Sequence, residues 1–147
     1  MIEVTVLFLD ETFSSTAVGP MEVFRHAGTL WNLLTGKPQS SRFRVTTASA
    51  DGRTVLCDGP IRIKPMAAIK DIRKTDLIFI PTTGLSLNDV VERNAPVVPW
   101  LKRWRNQGPA IAYAQAWVWS RLPECWMASE PPRIGGWHSD FARNTRR

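Results

Sequence analysis

From Glu3 to Leu9 the chain is an almost unbroken run of apolar and β-branched residues that stops at Asp10. A half-exposed strand would alternate polar and apolar side chains, so a run with no polar face must be covered on both sides. Strands of a parallel sheet have this character. Such a strand is central, and the rest of the chain must pair both of its edges and layer both of its faces. Two further runs have the same character, Asp76-Leu77-Ile78-Phe79-Ile80-Pro81 and one beginning Ala110-Ile111-Ala112-Tyr113.

Helical and turn signals separate these runs. Gly19-Pro20 is expected to open a helix with Pro20 at its first position, and Val23, Phe24, Ala27, Leu30, Trp31 and Leu34 share one face before Gly36 ends it. Phe43 to Ser49 is a second strand, closed by Asp51-Gly52, and Thr54–Cys57 with Ile61–Ile63 forms a hairpin-like excursion about Asp58-Gly59. A short amphipathic turn at Ala67–Ile72 leads to the next apolar run. Pro96 to Gln107 then places Val97, Val98, Leu101 and Trp104 at helical spacing and stops at Gly108. Strand and helix alternate with short connections, which predicts an α/β sheet of doubly wound type. Ligands bind such sheets at the carboxyl ends of the strands, so the loop Thr82-Thr83-Gly84 is a candidate.

The 147 residues, 44% of them hydrophobic, suffice for one core. A net charge of +6 raises the question of a polyanionic partner. However, Arg121, Arg133, Arg143, Arg146 and Arg147 fall in the last stretch of the chain and the other cations are scattered. Met1 to Thr16 lacks a signal-peptide pattern, and no apolar run approaches the roughly 20 residues a membrane span needs. A cytoplasmic location is therefore expected, with no membrane partner. Cys57 and Cys125 are too few for a disulfide framework and do not stand at metal-ligand spacing with His26 and His138. No metal or cofactor is expected.

Beyond Tyr113 the texture changes. Four of the seven tryptophans, Trp117, Trp119, Trp126 and Trp137, fall in the last 34 residues beside Pro123, Pro131, Pro132, Gly135 and Gly136, and no helical or strand period survives. Trp, Arg, Pro, Ala and Gly are the residues that GC-rich coding DNA yields when it is read out of frame.

Up to Tyr113 the chain resembles the ThiJ/PfpI-like, class I glutamine amidotransferase-like domain that precedes the helix-turn-helix region of many AraC-type transcription regulators. The matching residues are Val4 to Asp10, the string Gly19-Pro20-Met21-Glu22-Val23-Phe24-Arg25, Asp76 to Pro81 with Gly84, Ala95-Pro96, Trp100-Leu101 and Gly108 to Ala112. The resemblance implies a flavodoxin-like three-layer sandwich with a mostly parallel sheet. In that family the strand at Ala110–Ala112 runs into a strand-to-helix elbow carrying a cysteine, then small residues, a Leu-Asp-Gly turn and Ala-Thr-Thr-His-Trp. None of these follows Tyr113 here, yet all of them are permitted when the codons of residues 113–147 are read one register over. The expectation is therefore a partial sensor domain over residues 1–113 and an out-of-frame tail without native structure over residues 114–147. The chain would be a fragment of a ligand-sensing and oligomerisation domain that lacks its DNA-binding module. The implied partners are a small-molecule effector and a second copy, without specific DNA binding by this chain.

An elbow cysteine would be activated by the following helix N-terminus and by backbone N–H groups. With none at that place, and with no base placed beside Cys57 or Cys125, the chain is expected not to be an enzyme. The alternative is a small ThiJ/PfpI-type hydrolase or amidase, inactive for want of the elbow cysteine. Enzymes of this superfamily often carry a glutamate beside that cysteine, and the corresponding position here is Thr16. Glu22 is either a cleft-lining acid or a carboxylate favoured at a helix N-terminus, and the second is preferred. Thr82, Thr83 and Gly84 either offer backbone N–H groups to an anion or form a turn that needs Gly84. Thr16, Glu22, Thr82, Thr83 and Gly84 are the candidate ligand-binding residues. Trp31, Trp100 and Trp104 are read as packing residues on helices. Sequencing the coding DNA across codons 108–147 and beyond should reveal a single inserted or deleted base near codon 114, with an open frame continuing into a helix-turn-helix module. An alternative frame that lacks the family residues would refute the out-of-frame reading.

Overall fold

Strand β1 (Ile2–Leu7) lies in the middle of the sheet, and Val4, Thr5, Val6 and Leu7 are each no more than 1% exposed. The computed structural model describes residues 1–84, 89 and 92–114, which belong to the first of two units, Met1–Ala116 and Trp117–Arg147. The expected tail at 114–147, with Cys125 and His138, lies outside the described residues apart from Ala114. β1 pairs in parallel with β2 (Phe43–Ser49) from Ile2↔Phe43 to Leu7↔Ala48, and with β6 (Leu77–Ile80) from Val4↔Leu77 to Val6↔Phe79. β5 (Ala67–Ala68) extends the sheet beyond β2 and β7 (Ala110–Tyr113) extends it beyond β6, both in parallel. The five strands stand in the order β5-β2-β1-β6-β7. β3 (Val55–Leu56) and β4 (Arg62–Ile63) form the separate antiparallel hairpin. The architecture is the doubly wound α/β sheet that the alternation of strands and helices predicted, in the flavodoxin-like arrangement that the family resemblance implied.

Side chains on successive strand residues point to opposite faces. On one face Val4, Val6 and Phe8 meet Ala17 of the first helix and Val55 of the hairpin, with Met21, Phe24, Phe43, Val45, Leu77 and Phe79 packed around them. Phe24 is the centre of this layer, its ring 5.2 Å from that of Phe43 and 6.3 Å from that of Phe79. On the other face Leu7, Ile78 and Ile80 are fully buried. The polar pair Thr5–Thr75 on this face is satisfied internally, Thr5 Oγ1 donating to Thr75 Oγ1 at 3.0 Å and Thr75 Oγ1 to the Leu77 carbonyl at 3.0 Å.

Helix α1 spans Ser14–His26, so it starts well before Gly19-Pro20 and carries Pro20 in its interior. The reason lies upstream: a tight turn brings the chain off β1 at the carboxyl edge, and the helix begins directly after it. Pro20 there forfeits its own hydrogen bond to the carbonyl four residues back, and its ring crowds that carbonyl. The helix then stops at Ala27, because Gly28 takes a left-handed φ of 79°. A Cβ there would collide with the Ser40 carbonyl. This break shifts the phase of everything that follows, and a separate short helix α2 (Leu30–Leu34) results. The continuous apolar face expected from spacing is corrected: Trp31 and Leu34, beyond the break, are 68% and 71% exposed, and Val23, before it, is 70% exposed. Further on, a 3-10 turn at Ala95–Val97 leads into α3 (Val98–Gln107), which buries Trp100, Leu101 and Trp104 and ends at Gly108 with φ 98°, as its spacing predicted. No helix among the described residues is long and apolar enough to cross a membrane.

At the amino edge Asp76 ties three strands. Its N–H donates to the Glu3 carbonyl at 2.8 Å, its carboxylate accepts the Glu3 N–H at 2.8 Å, and its carbonyl accepts the Ala110 N–H at 3.1 Å. Phe8→Ala should lower unfolding free energy by about 3–5 kcal/mol, because it opens a cavity in the layer under α1. Val23→Ala should stay within about 0.5 kcal/mol, as its side chain is already in water. Urea denaturation of the two variants checks the corrected helix face, and equal losses would refute it.

Candidate functional site

β1 leaves the sheet through Phe8 and Leu9, both 1% exposed, and turns at once. The Thr12 N–H donates to the Leu9 carbonyl at 3.1 Å, while Thr12 Oγ1 accepts the Leu9 N–H at 3.1 Å and donates to the Leu9 carbonyl at 2.7 Å. Glu11 is the third residue of this four-residue turn and has φ 63°, the only positive value outside glycine among the described residues. A positive φ at that position alone is the mark of a type II turn, usually filled by Gly or Asn. The left-handed backbone costs a residue with a Cβ about 1–2 kcal/mol. Glu11 is held there from several sides: its N–H donates to the Leu56 carbonyl at 3.0 Å, its carboxylate pairs with Arg93, and Gly84 lies against its side chain.

The loop after β6 is stapled to the start of α1. Thr16 Oγ1 accepts the Thr82 N–H at 3.1 Å and donates to the Phe13 carbonyl at 2.8 Å, and the Thr82 carbonyl accepts the Phe13 N–H at 2.8 Å. Four of the five candidate residues therefore converge where β1 and β6 diverge, the point at which the strand order reverses. Thr16 lies on α1 and not on the loop, and its hydroxyl is committed to the backbone. Thr83 and Gly84 are buried. Glu22 is elsewhere: it is exposed and sits in the ninth position of α1, so neither the cleft nor the helix N-terminus claims it. At 1.5 Å per residue it is roughly 9 Å along the axis from Thr16.

A cavity of about 440 Å³ opens on the other side of β1, over the carboxyl ends of β1 and β2. Phe8 and Val55 form apolar wall, Asp10, Asp51, Arg53 and Arg93 bring charge, and Ser49 and Asn94 add polar groups. Sequence reasoning missed this cluster. Asp10 and Asp51 were visible as a strand end and a turn, but nothing in the local pattern joins them to Arg93 and Asn94. The structure does, through Asn94 Oδ1 accepting the Asp10 N–H at 3.2 Å and through the Glu11–Arg93 pair.

Cys57 is buried beside the hairpin turn, its N–H donating to the Ile61 carbonyl at 2.9 Å, and burial pushes its thiol pKa up. It is kept in the unreactive thiol form. Tyr113, at the carboxyl end of β7, is pushed up to about 12 by burial, with Arg105 pulling the other way. Ala114 follows it, donating its N–H to the Ile80 carbonyl at 2.9 Å. Among the described residues no group of three or more His, Cys, Asp or Glu is placed to hold a metal ion.

A Cβ at Gly84 would run into the Glu11 carboxylate and lie 3.2 Å from the Glu11 Cβ. Gly84→Ala should therefore destabilise by about 1–3 kcal/mol through overpacking. In a Glu11→Gly background, which removes the side chain and the backbone strain together, most of that loss should disappear. The coupling in a double-mutant cycle should exceed about 0.5 kcal/mol, whereas additive effects would mean the two positions do not press on each other.

No family profile and no curated protein matches the chain. Solved structures do. An AraC family transcriptional regulator from Pseudomonas putida aligns with 82% of this chain and 60% of its own at TM-score 0.62 and 21% identity. Drosophila melanogaster DJ-1beta aligns over 81% and 59% at TM-score 0.61 and 19% identity. A transcriptional regulator protein from Vibrio parahaemolyticus aligns over 76% and 55% at TM-score 0.58 and 15% identity. The chain thus spans a little over half the length of these structures, and its described residues have the fold of the DJ-1/ThiJ/PfpI proteins.

Proposed function

We propose that residues 1–113 are part of the ligand-sensing and oligomerisation domain of an AraC-type transcription regulator and that residues 114–147 are an out-of-frame tail. The likeness to the Pseudomonas putida regulator carries this reading, together with the Gly-Pro-Met-Glu-Val-Phe string that now lies on α1. Two features of the site support it over a thiol-dependent hydrolase or amidase. Thr16, with its hydroxyl committed to the backbone, stands where such enzymes often carry a glutamate, and Cys57 is a buried thiol on a hairpin rather than a nucleophile on a strand-to-helix turn. Catalysis by a thiolate needs a depressed pKa and an adjacent base, and Cys57 is shifted the opposite way.

In such a domain the carboxyl-edge loops recognise a small metabolite, and a second copy of the domain completes the regulator. The test is to restore the frame at codon 114 and compare gel retardation of the DNA upstream of the gene. The repaired product should retard that DNA and the 147-residue chain should not. A repaired product that cleaves amide or ester substrates and leaves the DNA unretarded would replace the regulator with the hydrolase.

A further inference from the structure

The cavity over β1 and β2 has a lining of balanced sign. Asp10 and Asp51 supply two carboxylates, Arg53 and Arg93 two guanidiniums, and Phe8 and Val55 apolar wall between them. The two arginines are held by acids but not covered by them. Arg93 uses one terminal nitrogen on Glu11 and stays 51% exposed, and Arg53 meets Asp51 through Nε at 3.5 Å with 88% of its side chain exposed. Each guanidinium has five N–H donors, so most of them remain available to a ligand. Asp10 differs: its backbone N–H is fixed on Asn94, while its exposed carboxylate has no ion pair among the described residues.

The wall that carries Arg53 is rigid. Ser49 Oγ accepts the Gly52 N–H at 3.0 Å and donates to the Arg53 carbonyl at 3.1 Å, and the Arg53 N–H donates to Asp51 Oδ1 at 2.9 Å. Gly52, at φ 79°, packs so closely on β5 that a Cβ would lie 3.1 Å from the Ala68 nitrogen. The opposite wall is fixed by the Glu11–Arg93 pair. A volume of about 440 Å³ lies within the range of small-molecule sites, which runs from roughly 300 to 1,000 Å³.

A net anion in this cavity would face two carboxylates, and a net cation two guanidiniums. A molecule carrying both charges on an apolar body meets a partner at each end and leaves neither sign uncompensated. We propose that the cavity over β1 and β2 binds a small zwitterion of the amino-acid class, its ammonium on Asp10 and its carboxylate on Arg53 and Arg93. As the effector site of the regulator this assignment rests on the sensor reading above. It also gives that reading a transmission route, because Asp10 and Glu11 are adjacent in one turn: Asp10 lines the cavity and Glu11 abuts Gly84 of the loop after β6.

The probes are leucine and aminohexanoate, which carry their charges close together and far apart, with leucinamide and N-acetylleucine as single-charge counterparts. Each is titrated into the full chain, with backbone amide shifts from NMR and heats of binding as readouts. At least one zwitterion should bind with shifts centred on Asp10 and on Ser49 to Val55, and should bind at least about tenfold more tightly than either single-charge counterpart. Asp10→Asn and Arg53→Gln should each weaken that zwitterion about tenfold, and Asp10→Asn should leave N-acetylleucine unchanged. Shifts elsewhere, no binding by either zwitterion, or equal binding of a single-charge counterpart overturns the proposal. The frame-repaired product separates the two claims. Zwitterion binding in this cavity by a product that never retards DNA upholds the site and removes the regulator, whereas a metabolite response in DNA retardation that Asp10→Asn and Arg53→Gln leave intact upholds the regulator and overturns the site.

Discussion

Parallel pairing of β1 along both edges, with both of its faces buried, is the constraint from which the remaining geometry follows. From Val4 to Leu9 such a strand exposes nothing, so its end must be abrupt, and the chain returns to water at Asp10. The turn that begins there is tight enough to put Glu11 into a left-handed conformation and to start α1 at Ser14. Everything on the carboxyl edge is positioned from that turn: the staple from Thr16 to Thr82, the contact of Glu11 with Gly84, and the Arg93 and Asn94 contacts that carry the segment leading into α3.

The sheet was readable in the sequence because its signal is local. Continuous apolar runs such as Val4–Leu9 and Leu77–Ile80, too short for a helix and rich in β-branched residues, read as strands covered on both faces, and β2, β7 and α3 lie where their pattern puts them. The first helix was misplaced because Pro20 suggests an N-terminus by composition while the turn at Leu9–Thr12, set by a threonine hydroxyl, decides the start. The apolar positions of Leu30, Trp31 and Leu34 continue a helical period on paper, but Gly28 breaks the backbone that would carry the phase. Periodicity predicts a face only as far as the helix is continuous.

The site was readable in part. Carboxyl-edge loops of parallel strands attract attention on topology alone, so Thr82, Thr83 and Gly84 could be named, and family resemblance pointed to Thr16. The charged cavity could not be named in the same way, since Asp10 and Arg53 lie on the loops that follow the neighbouring strands β1 and β2, and Arg93 arrives from a third part of the chain. Its parts are joined only by long-range contacts, which leave no spacing in the sequence. Glu22 shows the reverse case, a residue prominent in a family string that is exposed to water.

Asp76 lies at the end of the sheet opposite all of these loops, where its backbone and carboxylate lock β1, β6 and β7 into register. Alignment of the central strands is thus anchored at one rim while the loops and the charged cavity lie at the other. Sequence drift on the loop rim can reshape the cavity without sliding any strand past its neighbour, so a lineage of such domains is free to vary its cavity while inheriting one scaffold.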